Sequence, residues 1–97
     1  MLGMVLGVGE KTLHLRVRDL DWLDVQGEVV ALDGEKSRYL AANRTGALLW
    51  AQLDQGATRD QLVDRLLAEF NDLDEGAAQR DVDAFLSELR AHDLLEE

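Results

Sequence analysis

Apolar and polar residues alternate near the start of the chain. Within residues 12–18 the apolar residues would lie on one face of an extended chain and the polar residues on the other. The apolar set is Leu13, Leu15 and Val17, and the polar set is His14, Arg16 and Arg18. This alternation is typical of a half-buried strand. Shorter β-prone runs follow at residues 22–25, 28–33 and 37–42, separated by Gln26-Gly27 and Asp33-Gly34, which are turn-forming pairs. The pattern predicts a small antiparallel meander of three to four strands.

After residue 43 the apolar residues recur at three and four positions, which is the helical period. Asn43 stands where a side-chain oxygen accepts from the first free N–H groups of a helix, so a helix is predicted over 44–54. Thr58 and Gln61 have the spacing of a capping box and predict the start of a second helix. The apolar face of that helix is formed by Leu62, Val63, Leu66, Leu67 and Phe70.

A polar break over residues 71–76 precedes a last helix at about 77–92, with Asp72 or Asp74 as its N-cap. The apolar residues of this helix lie within one arc: Ala78, Val82, Phe85, Leu86 and Leu89. Leu94 and Leu95 then pack back or fray. Strands followed by three helices predict an α+β fold, with the ingredients of a winged helix in which the sheet comes first.

The length of the chain corresponds to a single domain, residues 1–97. Residues 1–11 show no period, and residues 1–18 are an N-terminal extension or an extra strand. The first eight residues are too short and too rich in glycine for a signal peptide. No run approaches the length of about 18 apolar residues that a membrane span needs.

Charge narrows the range of partners. Asp and Glu number 20 against 10 Lys and Arg, giving a net charge of −10. Such a chain repels nucleic-acid phosphates and anionic membrane surfaces. The acidic surface either serves solubility or favours basic and neutral peptides. Cysteine is absent, which rules out disulfides and thiolate metal sites and suits a cytoplasmic protein.

Side chains that carry chemistry are sparse. The two histidines, His14 and His92, lie on polar faces without the partners that nucleophilic catalysis needs. The acidic run at residues 72–75 lacks the spacing of a calcium loop. Neither Ser37 nor Ser87 stands in the Asp-Ser-Leu attachment motif that acyl and peptidyl carrier proteins share. We therefore expect no enzyme activity, no metal and no cofactor.

Three segments of the chain form a recognisable set: DVQGEVVALD at residues 24–33, RYLAANRTGALLW at residues 38–50, and DVDAFL at residues 81–86 with the leucines that follow. In type and order these segments resemble those of PqqD-like proteins. The likeness extends over about residues 20–95 and is strongest to the stand-alone members found beside lasso-peptide precursors, which are called RiPP recognition elements. Many relatives have Pro where this chain has Arg44. A proline at this position would only pre-set the φ angle of the first helical residue.

The resemblance implies a protein that binds the leader segment of a precursor peptide. The leader adds as an extra strand to the third strand of the meander and lies against the third helix. The implied partners are a separate cysteine-protease-like leader peptidase and a macrolactam-forming cyclase.

Two alternatives remain at this point. One is the PqqD role proper, with a quinone-cofactor precursor peptide and a radical enzyme. The other is a winged-helix DNA-binding protein. The last helix argues against DNA because a recognition helix is basic, whereas this helix and its end carry more acids than bases: Asp81, Asp83, Glu88 and Asp93 against Arg80 and Arg90.

The predicted peptide-binding residues come from the third strand and the last helix: Arg38, Tyr39, Leu40, Ala41, Val82, Asp83, Phe85, Leu86 and Arg90. They suggest a shallow trough, with an apolar floor from Leu40 or Tyr39, Val82 and Leu86, and a charged rim from Asp83 and Arg90. The sequence leaves open which strand face lines the trough, and also whether the apolar members are plain core. Proline at Leu40 is expected to remove an N–H from the free edge.

Three aromatic residues are interpreted separately. Trp50 and Phe85 are predicted to be core anchors that join the first and third helices, because each lies within a helical apolar pattern. Trp22 stands among acidic residues and either covers the sheet or faces a partner.

Overall fold

Four strands precede three helices and a fifth strand follows them in the computed structural model, which describes residues 11–97. The elements are β1 His14–Leu15, β2 Leu20–Val25, β3 Glu28–Asp33, β4 Arg38–Ala42, α1 Arg44–Gln55, α2 Arg59–Glu69, α3 Glu75–Ala91 and β5 Leu95–Glu96. The predicted α+β order, with a meander first and three helices after it, is confirmed. Residues 1–10, where the sequence predicts no regular element, lie outside the described part of the chain.

The meander is an antiparallel sheet in the order β2–β3–β4. Its first connection is the predicted two-residue turn, Gln26 and Gly27, with φ angles of 56° and 86°. Positive φ at both central residues defines the type I′ turn, whose twist matches that of the flanking strands. The residues on either side of this turn face each other in the register, so they form a hydrogen-bonded pair.

The hydrogen-bonded pairs then alternate along β2 and β3, as in any antiparallel ladder. At the far end the N–H of Gly34 donates to the carbonyl of Asp19 over 2.8 Å, in step with that alternation. The intervening residues of β3 therefore point their N–H and C=O groups the other way. Val29, Ala31 and Asp33 are thus hydrogen-bonded to β4.

The two faces of the sheet differ in their surroundings. The side chains of Val29, Ala31 and Asp33 are buried against the helices. The opposite face is open, and large apolar side chains are exposed on it: Leu23, Val25, Val30, Leu32 and Tyr39. Within the described residues the sheet is thus a single layer whose helices all pack on one side.

Each helix begins at a side-chain cap. Asn43 accepts from the N–H of Gly46 at 2.9 Å, and Asp74 accepts from the first turn of α3. Thr58 and Gln61 form the predicted capping box. These caps satisfy N–H groups that have no partner within the helix, and they confirm the helix starts expected from the sequence.

The inward faces of the helices form the core with β3 and the chain ends. The buried apolar residues are Leu13, Leu15, Val29, Ala31, Ala47, Leu49, Trp50, Leu53, Ala57, Leu62, Val63, Leu66, Ala78, Val82, Leu86, Leu89 and Leu94. Trp50 is 3% exposed and is confirmed as a core anchor, whereas Phe85 is half-buried at the margin. Within residues 11–97 no helix is long and apolar enough to cross a membrane.

The strand predicted at residues 12–18 is corrected in length and in facing. Only His14–Leu15 is a strand, and it pairs with β5 apart from the meander. Val17 is 81% exposed while Arg16 is 7% exposed, the reverse of the predicted alternation. The reason is that the extended run ends at Leu15, and the Arg16 guanidinium turns inward to the buried carboxylate of Asp33.

The second predicted turn is also corrected. Asp33 is the last residue of β3 and is fully buried, so the turn comprises residues 34–37. Ser37 closes it with a φ of 52°. Asp33 still shapes the turn, because its carboxylate accepts from the N–H groups of Glu35 and Lys36.

Candidate functional site

Strand β4 lies at an edge of the meander, and its outward main-chain groups have no partner strand within residues 11–97. Ala31 is hydrogen-bonded toward β4, and its partner in the register is Leu40. The N–H and C=O of Leu40 therefore point inward, while those of Tyr39 and Ala41 point to the free edge. The expectation that proline at Leu40 would remove an edge N–H is therefore wrong, because that N–H belongs to the internal ladder.

The opposite edge of the sheet is β2, and its side chains are different. Asp21 and Asp24 are exposed along it, and Asp19 precedes it. Charged side chains on an edge discourage pairing with another strand. β4 has no acidic residue. The β4 edge is therefore the better acceptor for an extended chain.

A groove runs between β4 and α3. Its volume is about 250 Å³, and it is lined by Leu40, Ala41, Ala42, Asn43, Gly46, Trp50, Phe85, Glu88, Leu89, His92 and Leu94. The lining is mainly apolar along β4 and the floor. Glu88 and His92 supply polar groups on the α3 side, with His92 Nε2 3.7 Å from Glu88 Oε1. A strand laid on the β4 edge would place alternate side chains over this groove.

Metal binding or catalysis would depend on how the histidines and the acidic side chains are placed. Within residues 11–97 no three side chains of the metal-binding types come close enough to hold an ion. His14 lies beside Gly56, while His92 borders the groove next to Glu88. The features that the groove offers are main-chain hydrogen bonds and apolar contact, which are the means of recognising a peptide.

The structure brings part of the predicted set together. Leu40, Ala41 and Phe85 line the groove. Tyr39 is on the same strand, but its side chain is 75% exposed on the outer face of the sheet. Arg38 begins β4 and turns toward the end of α3, donating to the carbonyl of His92 at 3.0 Å. The strand face left open by the sequence is now assigned, since Leu40 faces the helices.

The remaining predicted residues do not meet β4. Val82 and Leu86 are 0% and 2% exposed and belong to the core. Leu86 also borders a second depression, together with Asp83 and Arg90, on the other side of α3. The predicted trough from β4 to Val82 and Leu86, with Asp83 and Arg90 at its rim, is therefore divided between two surfaces.

Charge pairs occupy that second surface. Arg59 holds Asp83 with two hydrogen bonds of 2.7 and 2.9 Å, and this contact lowers the pKa of Asp83. Arg90 pairs with Glu97 at 3.1 Å, and this pair lowers the pKa of Glu97. Both pairs are partly exposed, so they contribute little to stability.

The sequence analysis missed several groove residues on α3 and at the start of α1. On α3 they are Glu88, Leu89 and His92, which follow Phe85 at helical spacing. That spacing was a usable signal, since residues at i+3, i+4 and i+7 share a face. The predicted trough was instead placed along the Leu86 side of the apolar arc of α3.

Comparisons with known proteins agree with this architecture. The family model of coenzyme PQQ synthesis protein D (PqqD) matches residues 28–95. The fold is similar to that of TbiB1 in complex with the TbiA(beta) leader peptide, with a TM-score of 0.76, 28% identity, and coverage of 82% of this chain and 92% of that one. No curated protein matches the sequence.

A second solved structure has the same fold. It is the lasso peptide synthetase B1 complexed with the leader peptide, with a TM-score of 0.75, 24% identity, and coverage of 88% of this chain and 98% of that one. Both solved chains are covered almost completely, so the likeness in fold includes most of this chain and nearly all of each of them.

Proposed function

The chain belongs to the PqqD family, and from this premise we propose that it binds the leader segment of a ribosomally made precursor peptide. The leader lies as an added strand on β4 and places alternate side chains in the groove against α3. The precursor class that fits best is that of lasso peptides, because the sequence resembles the stand-alone lasso members of the family and the fold is similar to that of a lasso peptide synthetase B1 complexed with the leader peptide.

One observation carries the proposal. The N–H and C=O groups of Tyr39 and Ala41 point to an edge that pairs with no other strand of the described part of the chain, and they lie along the same strand that walls the apolar groove. An added strand gains affinity from main-chain hydrogen bonds, which tolerate many sequences, and selectivity from side chains that fit pockets beside it. Edge and groove together supply both requirements for an extended peptide.

We further propose that the protein is a recognition module without chemistry of its own. It presents the leader to a separate cysteine-protease-like leader peptidase and to a macrolactam-forming cyclase in the cytoplasm. The open face of the sheet supports a role beside larger partners, because it exposes large apolar side chains, Leu23 and Tyr39 among them.

The proposal is tested with fluorescent synthetic peptides that carry the leader of each short precursor sequence encoded beside the gene of this chain. Fluorescence polarisation is expected to show saturable binding, with no binding of a scrambled leader. Amide hydrogen exchange then locates the site: the N–H groups of Tyr39 and Ala41 gain protection, while that of Leu40 is protected already. Protection along β2 instead, or no binding, would refute the proposed mode.

The same protein can be tested for nucleic-acid binding. A gel shift with random duplex DNA at low salt is expected to show no complex, since the net charge is −10. A salt-sensitive shift with duplex DNA would favour the winged-helix alternative.

A further inference from the structure

A carboxylate with no exposed surface lies at the end of β3. The carboxylate of Asp33 is 0% exposed and accepts a hydrogen bond from the Arg16 guanidinium. It also accepts from the N–H groups of Glu35 at 3.1 Å and Lys36 at 3.3 Å. Arg38 Nη2 is 3.5 Å from its second oxygen. Asp33 therefore holds the turn that leads into β4 and the first residue of β4.

Both arginines also reach the end of α3. Arg16 Nη1 donates to the carbonyl of Asp93 at 3.1 Å, and Arg38 Nη2 donates to that of His92 at 3.0 Å. The main-chain N–H of Arg16 donates to the carbonyl of Leu94 at 2.7 Å. Carbonyls at a helix C-terminus lack partners within the helix and carry partial negative charge. Two guanidinium groups thus connect the buried carboxylate to this helix end.

These contacts lie at one end of the candidate groove. β4 and α3 form its two walls and have few direct contacts with each other. The distance between the walls is therefore set by the groups that connect them, and along the floor that group is α1, where Gly46 lies against Ala42 and Phe85. At this end of the groove, the arginine contacts with Asp33 and the helix carbonyls make that connection.

We infer that Arg16 is a positioning residue for peptide binding: paired with Asp33, it holds β4 and α3 at the spacing that admits a peptide strand. The inference rests on the proposed function of the groove. Arg16 precedes residues 28–95, which the family model matches. The segment before the family core is therefore part of the binding unit.

A double variant separates positioning from folding. Arg16→Met with Asp33→Leu replaces a buried ion pair by apolar side chains, a change that often leaves stability equal or higher. The thermal midpoint is expected to stay near that of the parent, while the Kd for the fluorescent leader rises about tenfold because the helix carbonyls and the turn lose their charged partners. Arg59→Met with Asp83→Leu is the matched control on the far side of α3, and its Kd is expected to match the parent's.

A second measurement needs no leader. The chain has no cysteine, so Tyr39→Cys on β4 and Glu88→Cys on α3 introduce a clean pair of spin-label sites. The parent is expected to give a narrow distance distribution, and the Arg16→Met, Asp33→Leu background a broader or displaced one. An unchanged distribution would overturn the inference, as would an unchanged Kd. If the parent itself fails to bind leader, the proposed function falls, and the spin-label distances still decide the positioning role.

Discussion

The indole rings of Trp22 and Trp50 pack edge to face, with centroids 6.0 Å apart and ring planes at 70° to each other. This contact joins β2 to α1 and resolves the position of Trp22, which covers the inner face of the sheet. Trp50→Ala is expected to lower the free energy of unfolding by about 3–5 kcal/mol, since it empties a large core site. Urea denaturation measures this loss. Tyr39→Ala, at an exposed position, is the control and should leave the midpoint nearly unchanged.

Proline scanning tests which main-chain groups bind the leader. Ala41→Pro removes an N–H that points to the free edge, so the protein is expected to fold while leader affinity falls at least about tenfold. Leu40→Pro removes an N–H of the internal ladder and is expected to reduce the thermal midpoint instead. Circular dichroism and polarisation distinguish the two effects. A folded Ala41→Pro variant with the parent's affinity would show that the leader does not pair with β4.

Neighbouring residues on α3 test which side of the helix faces the peptide. Phe85→Ala is expected to weaken leader binding, because Phe85 lines the groove. Leu86→Ala is expected to cost about 2–5 kcal/mol of stability through a core cavity, with affinity retained by the folded protein. Asp83→Ala is expected to leave affinity unchanged. Polarisation at a temperature where all variants are folded makes the comparison. Loss of affinity in Asp83→Ala would return the site to the second surface.

Gly46 shapes the floor of the groove. A Cβ there would lie 3.1 Å from Ala42 Cβ and 3.3 Å from Phe85 Cε1, closer than ordinary contact. Gly46→Ala is expected to push the half-buried Phe85 ring into the groove and reduce leader affinity, while better helix propensity offsets part of the crowding, by up to about 1 kcal/mol. Gly76→Ala, in the exposed first turn of α3, is the control. Equal affinity in both variants would mean that the ring does not move.

The buried carboxylate of Asp33 is expected to make the free energy of unfolding depend on pH in the acid range. Burial raises the pKa of Asp33, but hydrogen bonds from Arg16 and from the turn N–H groups lower it more, so it lies below its ordinary value of 3.8. As pH falls, the Asp33 carboxylate therefore takes up a proton in the unfolded chain before it does so in the folded one. The contribution of this carboxylate to the free energy of unfolding is complete above the ordinary pKa and is lost as pH falls through the pKa of the folded state.

Asp33→Asn is expected to flatten this acid dependence. Asparagine keeps an acceptor oxygen for Arg16 but does not titrate, so the free energy of unfolding should fall less steeply below pH about 4. Urea denaturation from pH 6 downward provides the measurement. Asp64→Asn, on the exposed face of α2, is the control. A parental acid slope in the Asp33 variant would contradict the assignment.

Local signals carried most of the fold prediction. Asn43, Thr58 and Asp74 mark helix starts because their side chains bond to N–H groups only three residues away. Gln26 and Gly27 mark a turn for a similarly local reason. Contacts of this kind involve residues that are close together in the sequence, so they could be predicted from the sequence alone.

Contacts between distant residues were not predictable in the same way. Arg16 is buried because Asp33, 17 residues later, is buried, and no local pattern announces such a pair. The alternation of apolar and polar residues therefore predicted, wrongly, that Arg16 is exposed and Val17 is buried. On α3 the apolar arc was found, but its margins are alike in sequence. Only the position of β4 shows that Phe85, and not Leu86, borders the groove.

The unequal edges of the meander bear on polymerisation. A sheet with two acceptor edges can join copies end to end into an open fibre. Here Asp21 and Asp24 disfavour strand pairing at β2, so β4 is the better acceptor among the meander strands that the structure describes. Pairing of two β4 strands closes on itself, so growth by edge pairing stops at two chains. The acids of β2 thus limit edge-to-edge growth of the meander while the β4 edge stays exposed.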